Sequence, residues 1–459
     1  AFFKTFGYSQ ETWSLEKCIA YALENNIQIK QEILNTEYYK NNYQQSRAEM
    51  LPSLNASADQ NYVFGRSVDP YTNEINENNY QSANFNINSQ LTLFNGFRIK
   101  NTIDQNKFNM LSGLQNLEKI KNDVSLHIAT AYLQILFASE QLDISKKQLE
   151  VTRQQIERTK KMVDAGNMAR GNLLEIEAQA ANEELQLINN KNNLTSSMLT
   201  LRQLLDLEEN INFEIAIPDL SSIPIVPLGD SVETIYKMAI ALPQIKAAEY
   251  KVEASEKQLE VAKSGYYPSL SLMANYYTGY SDQRKKAIIG TSTEEQIGYV
   301  SGTNTPVMTM MPQITYGNYA FGEQLSDNAS RYLIFRLSIP IFNQFQVKTN
   351  VSNSKIERQN SQFNLQIAQN QLYKDIQQSL SDANAAYARY YGSLKAVESM
   401  EESFKYTQQK FDLGLLNSVD YNLAKTNLAK AKSESVQARF EYIFKTRILE
   451  FYKGNPIRL

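Results

Sequence analysis

The chain states one pattern twice. Leu91, Thr92, Leu93, Phe94, Asn95, Gly96, Phe97 return as Leu337 to Phe345, with Phe94-Asn95 on Phe342-Asn343, an offset of 248 (342 − 94). The same offset carries Val163-Asp164-Ala165-Gly166 onto Phe411-Asp412-Leu413-Gly414. Upstream, Leu51-Pro52-Ser53-Leu54 returns as Tyr267-Pro268-Ser269-Leu270 at an offset of 216 (268 − 52), so the second copy holds 32 extra residues (248 − 216) between its strands. Each copy reads strand, strand, long helix, helix. A duplicated unit must supply two similar parts of one architecture. With no catalytic motif in either copy, it reads as a structural conduit more than an enzyme.

Four segments alternate apolar and polar residues. Leu54, Ala56, Ala58 and Tyr62 alternate with Asn55, Ser57, Asp59 and Asn61; Phe85, Ile87 and Leu91 with Asn84, Asn86, Asn88 and Gln90. In the second copy Leu270, Leu272, Ala274, Tyr276 and Tyr280 form one set, and Leu333, Phe335, Leu337 and Ile339 another, around Arg336 and Ser338. Period two over about 10 to 12 residues suits a tilted strand crossing a bilayer. The aromatics Tyr62, Phe64, Tyr80, Phe94, Tyr266, Tyr267, Tyr280 and Phe342 cluster near the segment ends, as interfacial girdles do. A soluble sandwich with one wet face remains the alternative. Four strands cannot close a barrel, and open edges in lipid cost several kcal/mol per group. A membrane location therefore implies an oligomer sharing one barrel, and the strand count alone allows eight, twelve or sixteen.

The helical stretches obey a simple arithmetic. Residues 96–165 and 344–413 span about 70 residues each, roughly 105 Å at 1.5 Å per residue, and 14–48, 172–206, 231–265 and 418–453 span about half of that. Two short helices end to end match one long helix. Leu142, Leu149, Ile156 and Val163 recur every seven residues, and Tyr390, Val397, Phe404 and Phe411 repeat that register. Leu173, Ala180, Leu187, Leu194 and Leu201 do the same on the returning helix. Such heptads suit helices packed side by side.

The first repeat thus covers 1–220, with strands at 52–66 and 80–94, the long helix 96–165 and the return helix 172–206. A proline-punctuated linker follows at 207–230, containing Pro218, Pro224 and Pro227 beside an apolar stretch at 211–217. The second repeat covers 231–459: helix 231–265, strands 268–281 and 331–342, a polar loop at 283–327, long helix 344–413 and return helix 418–453. Residues 1–10 resemble the tail of a processed leader, cut near Ser9.

Composition narrows the function classes. The net charge is −3, from 46 basic and 49 acidic residues without blocks, which gives no basic stripe for nucleic acid. No apolar run reaches the roughly 20 residues of a spanning helix, which leaves a β-barrel open. Cys18 is the single cysteine and His127 the single histidine. Both lie in helical patterns and read as packing residues, so neither a zinc site nor a Cys-His dyad is expected. Met308, Met310 and Met311 could ligate soft Cu(I), but an apolar loop is the preferred reading, and no metal or cofactor is assigned.

Taken in order, Trp13-Ser14-Leu15-Glu16-Lys17-Cys18-Ile19, Leu51-Pro52-Ser53-Leu54, Phe94-Asn95-Gly96 and the paired turns at Gly166 and Gly414 resemble the TolC-type outer-membrane efflux protein family. The resemblance covers essentially the whole chain. It departs at Gln344, where the first repeat has Gly96, and in the long 283–327 loop. It implies a mixed α and β fold: a homotrimer with a twelve-stranded outer-membrane barrel, four strands per chain, continuous with a coiled-coil periplasmic tunnel. It also implies location in the outer membrane of a Gram-negative bacterium, contact with its lipid, and passive conduction from periplasm to exterior. The chain would form the exit duct of a tripartite efflux or type I secretion system, opened at its periplasmic helical tip by its partners. The partners would be a periplasmic adaptor and an inner-membrane transporter. A soluble or peripheral coiled-coil scaffold is the competing reading.

On that resemblance, the adaptor-docking tips are Gly166, Asn167, Met168, Ala169, Arg170, Gly171 in one repeat and Gly414, Leu415, Leu416, Asn417, Ser418 in the other. Ordinary turn chemistry is the plainer reading: glycine for the left-handed C-cap, with Asn172 or Ser418 capping the next helix. Positions six and nine past each glycine would ring the tunnel entrance; here they are Asn172 and Glu175, then Asp420 and Leu423. Three copies of Glu175 and Asp420 around an axis would repel one another and attract cations. Asp420 also reads as an acid favoured by the helix dipole. Asp59, Asn61, Asn84, Asn86, Asn88 and Arg336 would face the barrel lumen.

Overall fold

The computed structural model describes residues 12–68, 73, 75–77, 79–208, 213–218 and 225–456. Residues 1–10, expected as a leader tail, and Pro224 of the linker lie outside them. In chain order the elements are α1 (Leu15–Asn25), α2 (Ile27–Ala48), β1 (Ser53–Val63), β2 (Ser67–Val68), β3 (Ile75–Asn76), β4 (Tyr80–Asn95), α3 (Arg98–Asp164) and α4 (Arg170–Leu204). The second half has α5 (Val232–Ala239), α6 (Pro243–Lys263), β5 (Ser269–Ser281), β6 (Lys286–Tyr299), β7 (Pro306–Gly317), α7 (Phe321–Asp327), β8 (Ser330–Ser338), α8 (Gln346–Asp412) and α9 (Ser418–Tyr452). The chain divides into two compact units, a sheet unit of residues 44–104 and 257–355 and a helical unit of the remainder.

In the sheet unit four strands pair antiparallel in the order β1-β4-β5-β8. β8 ends at Ser338, short of the expected 342, because Pro340 brings no N–H to a ladder. A bulge between Thr92 and Phe94 turns Phe94 to the side of Leu270, its partner on β5. The 283–327 stretch is not a plain loop: β6 and β7 form a hairpin, and α7 follows. Bulges near Ile289 and Gln296 break its alternation, which hid it from a period-two reading.

Both long helices begin directly after a sharp two-residue corner. Gly96 and Phe97 have φ of 65° each, and Gln344 and Phe345 have φ of 54° and 61°. At Gly96 the space is also closed, since a Cβ there would lie 2.7 Å from Tyr267 Cβ and 2.8 Å from the Ser264 carbonyl. The left-handed corner is thus kept in both repeats, with glycine at its first position only in one.

The helical unit corrects one expectation about the short helices. Neither 14–48 nor 231–265 is continuous. Asn26 leaves the helix and its Oδ1 accepts from Gln28 N (2.9 Å) and Ile29 N (3.3 Å), capping α2. In the second copy Pro243 opens α6, where its missing N–H is harmless. These breaks fall at equivalent places (26 + 216 = 242). Around them sit two apolar cores. One packs Leu15, Cys18 and Ala22 on Ile128, Tyr132, Ile135 and Leu136 of α3, with Leu201 and Leu205. The other packs Ile235 and Ile245 on Leu372, Ile376 and Ala383 of α8. Burial pushes the Cys18 thiol up to about 12, in keeping with an inert packing residue. His127 differs from expectation: it is exposed, because one position on a helix separates it from the buried face of Ile128. The apolar stretch within the linker contributes a short tie, Trp13 pairing with Ile215, and the Tyr132 hydroxyl closes it by donating to the Trp13 and Ala216 carbonyls.

Candidate gate, tips and pore face

The two hairpin ends are built alike. α3 ends with Gly166 at φ +74°, whose N–H donates to Val163 O (2.9 Å) while Asn167 N donates to Met162 O (2.8 Å). α8 ends with Gly414 at φ +73°, with Gly414 N to Phe411 O (3.0 Å) and Leu415 N to Lys410 O (2.9 Å). Both are helix stops closed by backbone bonds around a left-handed glycine. The starts of the return helices differ. Asn417 caps α9 by accepting from Asp420 N at 2.8 Å, whereas Ala169 precedes α4 without a side-chain cap. Asn172 and Ser418, expected as caps, do other work. Gly166, Asn167, Ala169, Arg170, Gly171, Gly414, Leu415 and Asn417 are exposed, Met168 is half-buried, and Leu416 packs against Ile176, Phe411 and Tyr421.

The residues expected at the entrance split into two kinds. Ser418 is fully buried; its hydroxyl donates to the Glu175 carboxylate and lies 3.2 Å from Asn172 Oδ1. Glu175 and Asn172 are therefore tied across from α4 to the start of α9. Asp420 and Leu423 stand exposed on α9. Nearby, Arg158 on α3 pairs with Asp412 on α8 at 2.7 Å. Tyr421 stacks on Phe411 (4.6 Å), and burial, with the Asp412 and Glu183 charges adding, pushes its hydroxyl up to about 12.

Further from the tips, the structure reveals a polar seam that apolar heptads did not disclose. On α4 the buried positions are Ile176, Glu183, Asn190 and Leu201, so of the heptad leucines Leu201 is buried while Leu173 and Leu187 are not. On α3, Ser145, Thr152 and Thr159 are buried, three residues after Leu142, Leu149 and Ile156. Glu183 and Lys425 pair at 3.2 Å with side chains only 6% and 7% exposed. Glu183 also accepts from Gln148 Nε2 (3.1 Å), Gln179 Nε2 (3.0 Å) and Thr152, and Lys425 donates to Gln148 O at 2.9 Å and to Thr152. Desolvation lowers the Lys425 pKa, and Glu183 opposes that shift. Two turns away Asn190 donates to Gln141 O (3.3 Å) and to Ser145, and Gln141 exchanges hydrogen bonds with Ser433. Clefts of about 470 and 400 Å³ share Gln141, Asn190 and Ser433, ample room for water. The readable signal was the seven-residue spacing of Ser145, Thr152 and Thr159.

In the sheet unit, register decides the faces. Asp59 pairs with Asn84, Ser57 with Asn86, Asn55 with Asn88, Asn61 with Ser82 and Ser271 with Arg336, which sets the six lumen candidates on one face. Asn88 pairs with Asn275 and Asn86 with Tyr277, extending that face across β5. The other face carries Leu54, Ala58, Phe85, Ile87, Leu272, Tyr276, Leu333 and Phe335. Of the girdle candidates, Tyr62, Phe64, Tyr266, Tyr267, Phe94 and Phe342 are exposed near the strand ends. Tyr280 is covered by Phe321 of α7 at 5.1 Å. Tyr80 departs from the row: it pairs with Val63 on the polar face, is 6% exposed, and donates to Val68 O.

A duplicated strand-pair and helix-hairpin chain with one polar and one apolar sheet face belongs to the class of membrane channel components. The match to the family model described as outer membrane efflux protein, over residues 18–206 and again 235–447, shows that this chain belongs to that family. The two matched spans fall one in each repeat. The chain is 22% identical over 410 residues to the outer membrane protein TolC of Escherichia coli K12, covering 87% of this chain and 73% of TolC. In fold it is similar to the CusC channel (TM-score 0.79, 16% identity, 96% and 92% of the two chains). The VceC outer membrane protein of Vibrio cholerae gives TM-score 0.73 at 15% identity, with 97% of each chain covered. The chain is accordingly an efflux channel protein of the Gram-negative outer membrane. Membership sets aside the soluble scaffold reading.

Proposed function

We propose that three copies of this chain share one twelve-stranded barrel, its lumen lined by Asp59, Asn61, Asn84, Asn86, Asn88 and Arg336. The copies form the exit duct of a tripartite pump. The observation that carries this reading is the four-stranded sheet: polar on one face, apolar on the other, with β1 and β8 each paired on one side among the described residues. Lipid does not tolerate such edges, and β1 of one copy against β8 of the next removes them. The girdle residues Tyr62, Phe64, Tyr266, Tyr267, Phe94 and Phe342 then meet the lipid interfaces. The Gly166 and Gly414 tips dock a periplasmic adaptor, and an inner-membrane transporter supplies the energy. The chain itself does no chemistry.

Closure at the entrance is held by the ties between the two helical hairpins, Ser418 to Glu175 and Arg158 to Asp412, while the exposed Asp420 gives the entrance its charge. The test is a cysteine pair, Leu54→Cys with Leu337→Cys, oxidised in native membranes. Covalent trimers support the shared barrel, and monomers only would refute it.

A further inference from the structure

The β6–β7 hairpin is clamped at its base and bare along its length. Gln324, 1% exposed, donates to the carbonyls of Ser281 (3.0 Å) and Tyr319 (2.9 Å) and accepts from Ser281 N at 3.1 Å. Asn328 donates to Gly279 O (2.6 Å) and accepts from Arg284, while Lys286 pairs with Glu323 at 3.0 Å. Phe321 seats this pedestal on Phe85 and Tyr280. A base so fully bonded sets the direction in which the hairpin leaves. Beyond it, register places Ile289, Tyr299, Met308, Met310, Ile314 and Tyr316 on one face, and all six are exposed. A lone two-stranded hairpin is marginal in water, and an exposed apolar row, here unbroken along β7 from Met308 to Tyr316, marks an interaction surface.

Lipid does not fit as the cover. Both outer edges of a two-stranded hairpin carry unpaired backbone groups, which hydrocarbon penalises, and Glu294 and Gln296 interrupt the apolar face. A second copy of this chain does fit. The hairpin leaves the sheet between β5 and the edge strand β8. At the same end of the sheet the opposite edge strand, β1, runs into Phe64, Val68 and Ile75, all exposed. Arg66 lies in that turn and, among the described residues, makes a loose, exposed pairing to Glu77 at 3.9 Å, which leaves its cation within reach of a partner such as Glu294. We propose that each hairpin lies with its Met308, Met310 and Ile314 face on Phe64, Val68 and Ile75 of the neighbouring copy, a clasp between subunits at the outer rim. The methionines serve as adaptable apolar contacts there. This rests on the shared-barrel reading, which places β8 of one copy beside β1 of the next.

The test uses the full-length protein in native membranes, with Cys18 left buried. Met310→Cys combined with Val68→Cys, treated with a short bismaleimide, is expected to give a ladder up to the trimer, with neither single variant doing so. Excising 286–317 is expected to lower the temperature at which trimers separate on a gel. Separation at an unchanged temperature overturns the clasp. A ladder from Met310→Cys alone overturns the assigned docking site, and so does capture of a different protein. Protection of Met310→Cys by lipid without any ladder assigns the face to the bilayer and overturns it too. The Leu54→Cys and Leu337→Cys pair separates the two proposals: if it links and the hairpin pair does not, the barrel stands and the clasp falls.

Discussion

Two stretches of α3 solve the same packing problem in opposite ways. Around Val124 to Leu136 the helix buries Ile128, Tyr132, Ile135 and Leu136 against apolar neighbours. A few turns on, alongside Leu142 and Leu149, it buries Ser145 and Thr152 against Asn190, Glu183 and Lys425. Apolar packing has no cheap rearrangement, because any displaced atom leaves a cavity. A polar seam differs, since water can take over its hydrogen bonds when the helices part, at modest cost. We infer that the first stretch acts as a fixed clamp and the second as a closure that can be undone and remade, and along α3 the seam lies between the clamp and Gly166.

The largest expected effect tests the seam. Lys425→Ala leaves Glu183 buried and uncompensated, which costs about 3–5 kcal/mol in thermal or denaturant unfolding, and should also raise single-channel conductance. The double variant Glu183→Leu with Lys425→Met should recover most of the stability while conductance drops; equal conductance in both variants would show that the seam plays no part in opening. Next, Ile128→Ala in the clamp should cost about 2–5 kcal/mol and leave conductance unchanged. A conductance change there would break the distinction between the stretches.

Smaller effects are expected at the entrance. Asp420→Ala with Glu175→Ala should raise conductance and weaken block by divalent cations in planar bilayers, and unchanged conductance and selectivity would sink the gate assignment. The smallest concerns the rim of the second apolar core, where Lys445 pairs with Asp382 at 2.6 Å. That hydrogen bond, with one from Gln378, holds the Asp382 carboxyl below its usual value. Its contribution is present above the ordinary aspartate range and is lost as pH falls through the depressed folded value. Asp382→Asn should therefore cost about 0–1 kcal/mol near neutrality, with the difference from the native chain vanishing in acid unfolding curves.

Local periodicity explains what could be read from the chain. The strand alternation around Asn84 and Leu270 is a two-residue pattern, and the glycine stops at Gly166 and Gly414 are single-residue signals. The breaks at Asn26 and Pro243 were overlooked because the apolar pattern runs through them, although a proline inside a helical stretch is itself a stop signal. The Glu183–Lys425 pair was invisible because its partners lie 242 positions apart and both residue types read as solvent-facing. Tyr80 went astray because nearness to a strand end does not say which face a residue takes. That is fixed by its pairing with Val63.

The half-paired strands β1 and β8 also bear on how the channel is made. A single copy has no stable residence in hydrocarbon, so association cannot follow insertion as a separate later step. On the proposed shared barrel, newly exported chains would wait in the periplasm until three meet, and the inserted yield should then rise more steeply than in proportion to expression. Chains left over at low expression would fall to resident proteases. The sheet that makes the pore thereby also sets a threshold for its own biogenesis.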